Sequence, residues 1–313
     1  VRDTQILYMK GFGFADVEAR RPFTPQTVSY VASTTKAFTG LAAAILDGEG
    51  RFRLDAPLSR YLPHVRLRAP LHPDSITIRA LLTHTHGIGG SPVQHRLAFT
   101  GEYRDNDHLV ALLAEHAALP SREYRYSNLG YNVAALAMDR VTGESWKQTL
   151  DRLIFRPLGM RSTSANVSAF ATERLAMPYR TTPTGFERVR YGKVDANMQS
   201  AGGLVTTLED EARWLEAQLN AGRLDGRQVL PAAAVRETQI IQARNERAAG
   251  RLDTAEKALV ASLELQPNDG RVWNDLGQTQ FLQARYDEAR RSFQKAAELY
   301  LEASVRINLG CVE

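Results

Sequence analysis

From Thr34 to Leu46 apolar side chains return every three or four residues, at Phe38, Leu41, Ala44 and Ile45, and glycines follow at positions 48 and 50. That spacing predicts a helix with one buried face and a glycine stop. Ahead of it, Ile6 to Phe14 is rich in alternating aromatic and aliphatic residues and reads as a strand. Gly11 and Gly13 fit strand packing better than a phosphate loop, because no G-x-G-x-x-G continuation follows. Further helices are predicted at 78–83, 107–116, 131–141, 145–153 and 208–220, so helices outnumber clear strands in a mixed first region. Beyond residue 237 the pattern changes. Residues 250–267 align with 284–301 at a 34-residue offset, pairing Arg251 with Arg285, Asp253 with Asp287, Ala255 with Ala289, Glu264 with Glu298 and Leu265 with Leu299. Two amphipathic helices per unit follow from the three- and four-residue steps of Tyr286, Ala289, Phe293, Ala296 and Tyr300.

A chain of 313 residues, 43% hydrophobic and 24% charged, has the length for one large domain or two ordinary ones and for a substantial core. The longest aliphatic run, Leu41 to Leu46, is far short of a membrane span. The net charge of +4 comes from arginines interspersed with acids, which gives nucleic-acid binding little support. The single cysteine, Cys311, excludes an intramolecular disulfide framework and a multi-cysteine zinc site, and reads as a packed or bystander thiol. The sequence opens at Val1 without a basic-then-apolar leader, so any export signal is absent or already removed, and the compartment is not legible.

Ser33-Thr34-Thr35-Lys36 opens the first helix. Serine and lysine three residues apart share a helix face, so Lys36 can reach the Ser33 hydroxyl and act as, or relay to, a base. The helix N-terminus also favours negative charge developing near Ser33. Taken alone this is equally the signature of an N-capping serine and a solvated lysine. At Tyr126-Ser127-Asn128 a phenol beside a lysine can shuttle a proton, and an amide two residues on can hold a carbonyl; alone, these are also ordinary buried groups. His84 and His86, two residues apart without nearby carboxylates, are a poor metal set and fit a structural turn. Gly202 and Gly203 likewise fit a tight turn before a helix.

Together and in this order, the two motifs resemble the serine β-lactamase and penicillin-binding-protein superfamily, in its esterase-like and D-amino-peptidase-like branch. Lys10 to Asp16 resembles the strand ahead of that family's nucleophile. Leu54-Asp55-Ala56-Pro57 and Arg60-Tyr61-Leu62-Pro63 resemble the stretch after its helix. Thr77 to Gly87 resembles its T-I-R-x-L-L-T-H-T-S-G-L segment, with His86 where serine is usual, and Pro157-Leu158-Gly159-Met160 and Gly202-Gly203-Leu204 match two later landmarks. The resemblance implies an α/β (α+β) β-lactamase-like domain over residues 1–236. It further implies a Ser33 nucleophile forming an acyl-enzyme, Lys36 and Tyr126 sharing general-base and general-acid duties, and Asn128 positioning the acyl side chain. The substrate class is an amide or ester, small molecule or peptide, with no metal or organic cofactor. A periplasmic or envelope setting is also part of the resemblance. The segment 237–313 resembles tetratricopeptide repeats: Trp273, Leu276, Gly277, Ala289, Phe293 and Ala296 sit at that family's packing positions, and Pro267 closes the preceding unit. It gives two units and the opening helix of a third around Ile307, Leu309 and Gly310, all α, with a protein partner as the implied ligand.

One family feature is missing. A third motif, K-T-G or H-x-G on a strand beside the nucleophile, has no counterpart between Leu204 and Glu313, and the family's C-terminal strands are absent with it. Loss of one oxyanion donor costs about 100- to 1000-fold in turnover, or about 3–4 kcal/mol, and loss of the strand is expected to bare the apolar faces of neighbouring helices. Three explanations stand: a fragment, an insertion with the strands further on, or replacement of the strands by repeats. The competing functional reading is a binding protein with a catalytically impaired pocket and partner-docking repeats.

Overall fold

The computed structural model describes residues 1–89 apart from Asp3, 123–189 and 192–299, together with Leu109, Ala111, Leu113, Asn308 and Leu309. The helix expected at 107–116, Cys311, Ile307 and Gly310 therefore lie outside the described residues, bar Leu109, Ala111 and Leu113.

Strands are short and pair only in twos among the described residues. β1 (Phe14–Asp16) pairs antiparallel with β2 (Arg21–Pro22). The strand expected from Ile6 to Phe14 forms only at its end. Residues 6–13 pair with no strand among the described residues, and Ile6, Leu7, Tyr8 and Phe12 are all more than half exposed, at 53%, 60%, 68% and 69%. An extended segment becomes a strand only when a neighbour accepts its backbone hydrogen bonds, and alternation in the sequence does not supply that neighbour.

β3 (Ser29–Tyr30) leads into a 3₁₀ turn at Ala32–Thr34 and then α1 (Thr35–Gly48). α1 is the centre of the main core. Phe38 stacks on Trp214 at 3.9 Å between ring centroids and meets Phe155 edge-on at 5.9 Å. α2 (Ile78–Leu82) is capped by the Thr77 hydroxyl, which accepts from Ala80 N at 3.1 Å. α3 (Asn128–Thr142) ends in Gly143, whose φ of +73° makes the left-handed C-cap that glycine adopts without strain. α4 (Trp146–Leu150) opens on a Ser145–Gln148 capping box and runs through a π turn, Asp151–Phe155, into a last turn at Arg156–Leu158. A hairpin, β4 (Tyr179–Thr182) with β5 (Gly185–Arg188), precedes β6 (Val205–Thr206), which returns to pair with β3. α5 (Leu208–Leu219) and the small hairpin of β7 (Arg223–Leu224) and β8 (Arg227–Gln228) complete this part.

α6 (Ala232–Ala248) then runs unbroken through residue 237, where the repeat pattern sets in. Its Ala234, Val235 and Ile241 enter the same core as Phe38, Leu41 and Trp214, while Ile240 and Ala243 enter a second cluster with Leu259, Leu263, Val272 and Leu276. That second cluster is built by α7 (Leu252–Leu265) and α8 (Gly270–Leu282), and α9 (Tyr286–Leu299) packs on α8 through Ala289 and Phe293. A Cβ on Gly277 would lie 2.6 Å from the Phe293 ring, so only glycine permits this α8–α9 approach. α6 lies on α1 and covers the face that holds Phe38 and Leu41, whereas Leu208, Leu215 and Leu219 of α5 stay 38%, 46% and 52% exposed.

An ion-pair network joins the two parts. Arg79 on α2 pairs with Asp55 through Nε at 2.6 Å and also with Glu237 on α6, and Arg271 on α8 reaches Glu237 at 3.5 Å. No helix among the described residues is long and apolar enough to cross a membrane.

Candidate active site

The turn that carries Ser33 is strained and well anchored. Ala32, just before it, has φ of +45°, a region that non-glycine residues rarely enter without surrounding support. The support comes from the segment after Gln199. Val31 N donates to Leu204 O at 3.0 Å, Leu204 N donates to Thr35 Oγ1 at 3.1 Å, and Thr39 Oγ1 donates to Ser200 O at 2.8 Å. Gly203 makes that segment possible: a Cβ there would stand 2.3 Å from the backbone nitrogen of Gln199. A Cβ on Gly202 would lie 3.5 Å from the Ala32 carbonyl.

Ser33, Lys36, Tyr126 and Asn128, distant in sequence by up to 95 positions, converge. Ser33 Oγ and Tyr126 OH lie 2.6 Å apart, and Lys36 Nζ stands 3.2 Å from Ser33 Oγ. Lys36 Nζ also donates to Asn128 Oδ1 at 2.7 Å and to the Ala201 carbonyl at 2.5 Å. Ala201 contributes a backbone atom, for which no side chain in the sequence could have been a signal. Asn128 thus holds the lysine.

The two carbonyl partners decide what Lys36 can do. Both are acceptors only, so they take two N–H groups, while the third partner is a hydroxyl that can donate or accept. A neutral amine held this way has its lone pair directed at Ser33 Oγ. Burial pushes the Lys36 amine down from 10.5 to about 7, so the neutral form is well populated near neutrality. Tyr126 moves the other way. Desolvation raises its phenol above 10, only partly offset by the hydrogen bond with Ser33, so it stays protonated. The lysine nitrogen lies 4.8 Å from the Tyr126 ring centroid and 5.6 Å from that of Tyr131.

The turn that holds His84 is tied to the site. Its φ is +61°, its Nδ1 accepts from Ser127 N at 3.1 Å, and its carbonyl accepts from Arg125 N at 3.0 Å. The ring lies 4.8 Å from Tyr126. His84 therefore clamps the residues on both sides of the Tyr126 phenol. Burial, reinforced by the nearby Lys36 charge, pushes His84 down to about 4, and burial does the same to His86, so both are neutral at pH 7. His86 Nδ1 accepts from Ile88 N at 3.0 Å. Among the described residues no three His, Cys, Asp or Glu side chains gather as a metal site would require.

A cavity of about 550 Å³ opens beside Ser33 and Lys36, and its far wall is made by α5, α6 and α7.

Comparison with known proteins follows the same lines. The family model described as Beta-lactamase matches residues 1–289, past the limit of 236 set by the sequence motifs and into α9. The protein flp of Staphylococcus aureus (strain MW2) is 29% identical over 226 residues, covering 70% of this chain and 44% of flp. Esterase EstB of Burkholderia gladioli is 37% identical over 191 residues, covering 57% of this chain and 48% of EstB. The chain thus spans less than half the length of these curated relatives. Among solved structures, D-amino acid amidase from Ochrobactrum anthropi SV3 complexed with L-phenylalanine amide matches with TM-score 0.59 and 26% identity, over 69% of this chain and 62% of the amidase. EstCE1, a hydrolase with promiscuous acyltransferase activity, shares the fold with TM-score 0.67 at 24% identity, over 78% of this chain and 71% of EstCE1.

Proposed function

For a chain that belongs to the β-lactamase family, with esterase and D-amino acid amidase relatives, we propose a serine hydrolase that cleaves an amide or ester through an acyl-enzyme on Ser33. The observation that carries the reading is Lys36: two carbonyls hold its nitrogen 3.2 Å from Ser33 Oγ, and burial brings it to about 7. In this scheme the neutral Lys36 amine takes the Ser33 proton as Oγ attacks the substrate carbonyl. Tyr126, protonated and 2.6 Å from Oγ, passes its proton to the leaving group, and the proton that Lys36 took from Ser33 replaces it. Water then attacks the ester of Ser33 by the same route in reverse. Asn128, by fixing Lys36, sets the base as well as meeting the acyl chain. The residues 237–313 are proposed as tetratricopeptide-like repeats that dock a protein partner, a reading supported by the 34-residue period and the Gly277–Phe293 contact.

The test is intact-protein mass after incubation with a fluorescent penicillin and, separately, a fluorophosphonate. An adduct lost in Ser33→Ala is the expected result. The second reading, a binding protein, draws on the 34-residue period of the C-terminal helices. No adduct with either probe on folded protein would select it.

A further inference from the structure

The cavity beside Ser33 is walled by helices from both parts of the chain. Ser33, Ala37 and Gly40 stand at i, i+4 and i+7, on one face of α1 and its lead-in turn, and Ala258 and Ala261 of α7 line the same space. Trp214 of α5 and Ile241 of α6 line it as well. The gap exists because the residues of α1 and α7 that border it are small. Gly40 is buried, yet a Cβ on it would meet nothing within 4 Å, so the space it looks into is the cavity itself. Ala37 and Ala261 are exposed and Ala258 is half-buried, so a ligand touches these walls directly. The charged side chains of the wall stay by the reacting groups. Lys36 lies against Ser33, and Arg251, paired with Glu246, is hydrogen-bonded by Tyr124, two residues from Tyr126. Beyond them the slot is mainly apolar.

We propose that this slot takes an apolar acyl chain of the substrate, and that α7, from the repeat segment, helps to set how long that chain can be. The inference rests on Ser33 as the acylated group, since that fixes where the chain starts. Seven residues of helix from Ser33 to Gly40 span about 10 Å, and an extended chain advances roughly 1.2 Å per bond, so an acyl group of about eight carbons reaches Gly40. Each methylene it buries there raises kcat/KM up to about fourfold, the equivalent of about 0.8 kcal/mol. The repeat helices thus act on the choice of substrate at Ser33, a role separate from docking a protein partner.

The p-nitrophenyl esters of acetate, butyrate and octanoate test it. For the wild-type chain kcat/KM is expected to rise at each step, by about tenfold or more from acetate to octanoate. Gly40→Leu on α1 and Ala261→Leu on α7 are each expected to cut the octanoate-to-acetate ratio by about fivefold or more, because leucine fills the slot from either side. Leucine is a good helix former, and the ratio is not moved by a general loss of activity. A wild-type preference for the acetate, equal rates on all three esters, or a ratio left unchanged in either variant would overturn the slot. Should none of the esters be cleaved, the Ser33 reading falls, and the slot is judged by binding alone. Calorimetric titration with octanamide should then show binding to the wild-type chain that weakens about fivefold or more in Ala261→Leu. No binding, or equal binding to the two proteins, would overturn the proposal in that case.

Discussion

Lys36 is the residue through which pH acts on the site. With its amine at about 7, kcat/KM for an activated ester should rise about tenfold per pH unit below 7 and level off above it. The stability consequence has a definite sign. The folded state binds the Lys36 proton less tightly than the unfolded chain, so burying the charge is penalised fully below about pH 7 and progressively less up to 10.5. The drop from 10.5 to about 7 sets an upper bound of about 5 kcal/mol on that penalty. Urea unfolding of Lys36→Met should therefore show a variant stabilised relative to wild type at pH 6, with the difference shrinking toward pH 10, while turnover is lost. His84 gives a second test. His84→Asn keeps an acceptor for Ser127 N and tolerates the left-handed backbone, whereas His84→Ala does neither. Ala is expected to lower kcat by more than tenfold with little change in KM, and Asn to restore most of it. The four residues that converge at Ser33 were legible because their types, spacing and order make two motifs. The Ala201 carbonyl was not, since any residue possesses one, and the His84 clamp was not, since its Nδ1 accepts from a backbone nitrogen 43 positions on, which has no side-chain signature.

At the scale of elements, two helix-interior glycines respond oppositely to one substitution. Gly40 of α1 has open space around its missing Cβ, so Gly40→Ala should stabilise by about 0.5–1 kcal/mol through the helix propensity of alanine. A Cβ on Gly277 of α8 would lie 2.6 Å from the Phe293 ring, so Gly277→Ala should destabilise by about 1–3 kcal/mol by overpacking. Chemical denaturation of both variants checks the pair, and equal signs would mean that the helix contacts differ from those described. Sequence periodicity located α1, α2, α3 and α5 to within a few residues, because a buried helical face needs no distant partner to be recognised. It overread Ile6 to Phe14 for the converse reason: β1 could form only where Arg21–Pro22 came to meet it.

For the whole molecule, the Glu237 carboxylate lies at the junction, paired with Arg79 of α2 and Arg271 of α8 and only 10% exposed. Removing one partner of a buried ion pair costs on the order of 3 kcal/mol, so Glu237→Ala should lower the stability of the entire chain by about that much. Calorimetry should show one cooperative transition in wild type, and limited proteolysis should leave 232–248 intact. Two transitions, or a cut at residue 237, would mean that the segments on either side fold separately. The boundary at 237 rests on the repeat period, which registers similarity between units and is silent on which core receives a side chain. Val235 and Ile241 answer to one core and Ile240 to the other, within two turns of one helix.

That shared helix bears on how the chain can be divided. A piece ending before Ala232 loses the cover over α1, and a piece beginning after Ala248 loses one side of the cluster around Leu259 and Leu276. α6 is common property, so two self-sufficient halves could be made from this chain only by duplicating it, one copy for each.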